Sequence, residues 1–336
     1  MDKRIIGQHR DHAGLLLVHN FGWMRARELG RMLWPASPRS AVNASELVGK
    51  WKRAGWVLVR PLPDNMGQAL VLSAAGAAYL RACGHMDAVT GKDWGETRAG
   101  DWVAPRTWQH ELLTLGLLAQ LHTEGWQVIP ERQLRRENRP GKFPDGLAIR
   151  GDDVIWIEVE NARKSGPHRN QMVEALILAS QGEAEQLSGQ VANHAMLAYA
   201  TNARDERGFR LDHRSRVMAA LARRAPVDVP LMLAELTVTG TAGVGEVAIS
   251  ETNVAAEAVT RRMASVDWAF QAAVADFYAY ELSRANGRKY RRGDGDCSRW
   301  WSIRDGEREV AAADVESAEE ARRALVSKLR YREWCR

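Results

Sequence analysis

Apolar positions in the first hundred residues fall into helical blocks followed by one alternating block. Residues 9–20 (HRDHAGLLLVHN) predict an apolar helix closed by Gly22. Residues 24–34 (MRARELGRMLW) predict a second, with Leu29, Met32 and Leu33 at spacings of three and four before Pro35 and Pro38. A third helix is expected from about Arg39 to Ala54, where Ala44, Leu47, Val48 and Trp51 fall at i, i+3, i+4 and i+7 and form one buried stripe. Gly55 ends it. The run WVLVRPLPDNMGQALVLS then offers two strands about the turn signal Pro63-Asp64-Asn65-Met66-Gly67, and AAGAAYLRAC a closing helix.

Residues 84–106 are rich in Gly, Asp and Thr without sustained periodicity and read as a linker. An amphipathic helix is expected over 107–125, then strands in WQVIPERQLRR, FPDGLAIR and VIWIEVEN. A helix (RNQMVEALILASQ), a buried strand (AMLAYAT), a helix (HRSRVMAALARRA) and a strand pair around LMLAELTV and GEVAI follow. That succession predicts an α/β domain with a mixed central sheet. Beyond it lie a helical pattern over 254–282, a basic, Trp-bearing stretch over 284–308 and a charged helix from about 314 to 333. The expected divisions are therefore 1–84, a linker at 85–106, 107–250, and a mostly helical extension at 251–336.

Composition narrows the class. The 336 residues are 45% hydrophobic and 26% charged, ordinary globular usage. No apolar run approaches the roughly 18 residues of a membrane span, and MDKRIIGQHRDH lacks the apolar core of a signal peptide, so a cytoplasmic protein is expected. Cys83, Cys297 and Cys335 are too scattered for a zinc site or a disulfide framework. The net charge of +5 is uneven: residues 1–100 carry 14 Lys/Arg against 8 Asp/Glu, whereas residues 101–250 carry 17 against 19. The basic excess suits a polyanion partner for the N-terminal third.

The face of the third helix opposite its buried stripe is left with Arg39, Asn43, Glu46, Lys50 and Arg53, and the candidates for DNA are Arg39, Ser40, Asn43, Lys50 and Arg53, with Arg60 following on the first strand. These side chains supply phosphate ligands and base-edge donors; the alternative is a solvated face on a protein-interaction module. In its order of elements, residues 8–83 resemble a winged helix-turn-helix domain. That resemblance implies that the third helix enters the major groove while the hairpin tracks phosphates. In the C-terminal stretch Arg288, Lys289, Arg291 and Arg292 flank Tyr290 ahead of Trp300-Trp301, a mixture suited to single-stranded nucleic acid as well as to a solvated basic loop.

The passage FPDGLAIRGDDVIWIEVEN carries the candidate chemistry. Strand periodicity puts Glu158 and Glu160 on one face and Ile155, Ile157 and Val159 on the other, and a hairpin would bring Asp145 beside them. Carboxylates on an apolar sheet need neutralising, and a hard ion such as Mg²⁺ or Mn²⁺ is the usual means. The blander reading is a turn-shaping Asp145 and a solvated edge strand. Pro144-Asp145 and Glu158-Val159-Glu160 resemble the PD-(D/E)-x-K nuclease motif, with Glu160 where that motif has lysine. Lys164, Arg163 and Lys142 are the nearby cations.

With the N-terminal pattern and the Thr107-Trp108-Gln109-His110-Glu111-Leu112 helix, the chain resembles the replication-relaxation family, which includes C-type plasmid mobilization relaxases. The resemblance implies a restriction-endonuclease-like mixed sheet and metal-dependent nicking of plasmid or integrative-element DNA. Asp145, Glu158 and Glu160 would be its metal and catalytic carboxylates, with His110 an accessory. Gln171, near the end of the strand bearing Glu160, is a candidate for holding substrate or water, and Lys164 for the missing cation. The expected partner is double-stranded DNA, with single-stranded DNA, a second copy of the chain and relaxosome or replication proteins as further candidates. The alternatives are a DNA-binding replication or transcription regulator with a non-catalytic nuclease-like domain, and a defence endonuclease that cuts both strands.

Overall fold

A computed structural model describes residues 3–99, 101–162, 166–204, 208, 210–225, 228–239, 243–245, 247–254, 300–305 and 308–314. The chain divides into two compact units, 1–256 and 257–336. In the second, β11 (Trp300–Asp305) and β12 (Arg308–Asp314) pair antiparallel, so a hairpin stands where the extension was expected to be mostly helical and takes in the end of its basic, Trp-bearing stretch. The helix expected over 254–282, apart from its first residue, and Arg288, Lys289, Arg291 and Arg292 lie outside the described residues, as does nearly all of the last charged helix.

The first unit begins with α1 (Lys3–Phe21), α2 (Ala26–Leu33), α3 (Ser40–Arg53), β1 (Val57–Pro61), β2 (Gln68–Leu72) and α4 (Ala74–Ala82). The α3 stripe is buried as its spacing predicts, and the Trp51 indole N–H donates to the buried Asp11 carboxylate at 2.8 Å. Asp64, Asn65 and Gly67 take positive φ, the turn between β1 and β2 that Pro-Asp-Asn-Met-Gly predicts. Met24 adds a bridge to Leu70 on the free side of β2. The Ser73 hydroxyl caps α4, and at Gly76 a Cβ would stand 2.1 Å from the Trp56 carbonyl, so only glycine allows this approach.

Residues 84–106 are no free linker. Gly91 N–H and the Thr90 hydroxyl both donate to the Leu72 carbonyl, and β3 (Glu96–Arg98) pairs with β4 (Asp101–Val103). Trp94 packs between Trp23 and Trp102, with ring centroids 4.8 and 5.3 Å away. Glu111 ties this layer down: it accepts from Trp23 Nε1 at 2.5 Å, Trp94 Nε1 at 3.0 Å and the Thr107 hydroxyl at 2.6 Å. Low periodicity here reflects tryptophan packing, which carries no helical or strand repeat.

Glu111 belongs to α5 (Trp108–Thr123), expected to be amphipathic but buried on both sides. Leu112, Leu115 and Ala119 join the core of α1–α4, while Leu113, Leu117, Leu118 and Leu121 pack with Ile155, Ile157 and Met196 of the sheet. That sheet has the order β10-β9-β8-β7-β6-β5: β5 (Gln127–Pro130), β6 (Gly146–Arg150), β7 (Asp153–Glu160), β8 (His194–Ala200), β9 (Val229–Leu236) and β10 (Ala248–Val254). β7, β8 and β9 run parallel and the other neighbours antiparallel, which makes the sheet mixed, as expected. The strand expected through WQVIPERQLRR stops at Pro130, which leads into the short α6 (Glu131–Leu134). α7 (Gly166–Ser180) and α8 (His213–Arg224) cover the face opposite α5. Among the described residues no helix is long and apolar enough to cross a membrane.

Removing the Glu111 carboxylate strips the acceptor from two indole N–H groups, at a cost of about 1–3 kcal/mol each where buried. Glu111→Ala should therefore speed tryptic cleavage at Lys92, Arg98 and Arg106 by about tenfold or more under native conditions, read as fragment appearance by mass spectrometry.

Candidate active site

Alternation along β7 sends Trp156, Glu158 and Glu160 to the α7 side and Ile155, Ile157 and Val159 to the α5 side, and all six are buried. β6 pairs with β7 so that Gly146 faces Ile157, and the Asp145 N–H donates to the Ile157 carbonyl at 2.9 Å. Asp145 thus stands one step beyond that pair, opposite Glu158. The hairpin brings the two carboxylates to neighbouring ladder positions, as the sequence spacing predicts.

Each carboxylate has its own donors. Asp145 Oδ2 accepts the Val159 N–H at 2.7 Å, and Oδ1 lies 3.1 Å from His110 Nε2 on α5. Burial alone would raise the Asp145 pKa. The hydrogen bond and charge of His110, the Lys142 ammonium and the Val159 N–H outweigh it and hold the carboxyl at about 2. Glu158, fully buried, accepts the Trp156 indole N–H at 2.9 Å and the Lys142 ammonium at 2.9 Å. Lys142 Nζ also donates to the Phe143 carbonyl at 2.7 Å. Among the described residues Lys142 is the candidate cation held against Glu158; Lys164 and Arg163 lie outside the described residues.

A cavity of about 1520 Å³ opens at this point, walled by His110, Lys142, Asp145 and Trp156 and, on α7, by His168 and Gln171. Arg106, Arg135 and Arg204 line it too. A smaller cavity of about 240 Å³ shares His110, Asp145 and Arg135 with it. Arg106, Arg135 and His168 went unnoticed in the sequence, because nothing in their local pattern relates them to Asp145. Trp156 could have been found, since it sits two residues before Glu158 on the same strand face. The Tyr199 hydroxyl donates to Glu235 at 2.6 Å, and burial together with that carboxylate pushes its pKa up to about 12.

Among the described residues no group of three or more His, Cys, Asp or Glu side chains stands ready to hold a metal ion, so Asp145, Glu158 and Glu160 do not form a three-carboxylate cage. Mg²⁺ and Mn²⁺ require only one or two carboxylates beside water and phosphate oxygens. The carboxylate oxygens of Asp145 and Glu158 fit such an ion in their donor chemistry.

Arg39, which precedes α3, and Arg53 on α3 are exposed and Ser40 and Asn43 half-buried, while Arg60 on β1 is half-buried. Lys50 differs from the expected free cation: its ammonium is bonded to Asp11 of α1. Cys83 is an exposed free thiol.

No family model matches this chain, and neither a curated protein nor a solved structure matches it. The class that the fold defines is a mixed α/β protein with a six-stranded mixed sheet.

Two consequences follow for stability. Asp145 has its pKa lowered from 3.8 to about 2, so its contribution is complete above about pH 4 and is lost as pH falls towards 2. Urea midpoints measured down that range should fall more steeply for the wild type than for Asp145→Asn. A double-mutant cycle of Lys142→Met and Glu158→Gln should return a coupling of about 1–3 kcal/mol, the double variant being more stable than the sum of the single losses allows.

Proposed function

We propose that the chain is a DNA-binding, metal-dependent nicking protein of the relaxase-like kind, acting on plasmid or integrative-element DNA. What carries the reading is ionised Asp145 at the wall of a cavity that arginines also line, beside Lys142, whose ammonium on the same wall is bonded to the buried Glu158 behind it. An apolar sheet that keeps two carboxylates and a cation beside an open cavity is organised for chemistry on a charged substrate.

In this reading α1–α4 with the β1–β2 hairpin act as a winged helix-turn-helix and the mixed sheet as a restriction-endonuclease-like core. Asp145 and Glu158 would hold a divalent ion, which when bound orients a hydroxyl against the phosphodiester and neutralises the leaving oxygen. His110 holds the Asp145 carboxylate in one orientation. Lys142 takes the part of the lysine that Glu160 displaces, placing positive charge beside a phosphate at the cavity wall. Gln171 and His168, on the α7 wall, are placed to bind the substrate backbone.

A second reading has an observation of its own. The Lys142–Glu158 and His110–Asp145 pairs compensate both carboxylates without any ion, as in a regulator whose nuclease-like domain only docks partners. Supercoiled plasmid with Mg²⁺ or Mn²⁺ separates the two. Nicking yields open circles, and Asp145→Ala lowers their rate by about 100-fold or more while duplex binding is kept. If no open circles form with either metal while duplex binding is intact, the regulator reading replaces the enzyme.

A further inference from the structure

The outward ridge of α3 has a composition that a merely solvated face does not explain. Val42, Glu46, Gly49 and Arg53 follow one another at i, i+4, i+7 and i+11, opposite the buried Ala44, Val48 and Trp51. Val42 is 49% exposed, an apolar branched side chain in open water. Gly49 costs an interior helical position about 1 kcal/mol relative to alanine, yet a Cβ there would meet only Arg53 NH1 at 3.6 Å. Nothing within the protein asks for that glycine, whereas a surface approaching from outside would. Glu46 on the same ridge would be repelled by phosphates, so a polyanion seated here must present something other than its backbone to this ridge.

A groove of about 400 Å³ runs alongside, lined by Arg27 of α2, Ser45, Gly49 and Lys52 of α3 and Gln68 of β2. Arg25 also lines it, but its guanidinium is bonded to Glu28 and the Met66 carbonyl. Arg27 and Lys52 are thus the groove's cations for an external anion, in place of Lys50, which Asp11 engages.

We propose that α3 reads duplex DNA through this ridge, with the Val42 isopropyl group against a thymine 5-methyl and Glu46 facing a cytosine amino group, while Arg27 and Lys52 grip phosphates in the adjoining groove. The major groove offers these partners: the thymine methyl is its one apolar feature, and cytosine N4 is a donor that a carboxylate accepts from. This rests on the DNA-binding reading above and names how the duplex is recognised.

The test uses the full chain and the duplex it selects from a random-sequence pool, with binding followed by fluorescence anisotropy across a salt series. Replacing thymine by uracil in that duplex removes only the methyl groups. Wild type should bind the uracil copy about fourfold more weakly, the worth of one buried methyl group. Val42→Ala should bind both duplexes equally, at the weaker level. Arg27→Ala and Lys52→Ala should each lower the slope of log affinity against log salt by about one, while Lys50→Gln leaves it unchanged. Equal binding of thymine and uracil duplexes by wild type overturns the inference, as does a slope that responds to Lys50 and not to Arg27 and Lys52. In both cases DNA binding itself would stand. Absence of binding to any duplex at low salt would instead refute the DNA-binding reading, and this inference with it.

Discussion

Burying a carboxylate in an apolar sheet costs several kcal/mol unless positive charge or strong donors meet it, and the centre of this protein is arranged around that constraint. Glu158 has no solvent contact, so the Trp156 indole N–H and the Lys142 ammonium are brought to it. Asp145 is met by a main-chain N–H from the facing strand and by a histidine from the helix beneath. These contacts draw together β6, β7, α5 and the segment before β6. Charge compensation and tertiary structure are thus the same interactions, and the cavity opens where they converge.

α5 makes this possible because it belongs to two cores at once. One side completes the packing of α1–α4 and the other lies on the sheet, so His110 projects from a helix that neither half of the first unit can release. Glu111, the next residue, gathers Trp23, Trp94 and Thr107 and closes the layer between the two halves. Adjacent residues of one helical turn therefore serve different ends: His110 orients the site and Glu111 fastens the wall beside it.

Much of this was legible from residue order. Period-two alternation in VIWIEVEN assigned each side chain of β7 to its face, and the Ala44, Leu47, Val48, Trp51 stripe oriented α3, because both depend on local geometry and burial alone. The uniform apolar character of α5 disguised its double burial: periodicity reports one buried face and is silent when two are buried. Residues 84–106 looked like a linker because tryptophans packing on tryptophans follow no repeat. Lys50 shows the same limit for charge, since the acid that engages it sits 39 residues earlier, on α1.

The amino-acid order by itself determined α1–α4 with their hairpin, the mixed character of the sheet and the nearness of Asp145 to Glu158, which rest on local spacing and alternation. Only the tertiary structure decided that Lys142 meets Glu158, that His110 reaches Asp145, that Glu160 joins no cage of three ligands among the described residues, and that Tyr199 donates to Glu235. Those outcomes turn on side chains from distant segments competing for the same few ångströms, and local pattern carries no record of which of them arrives.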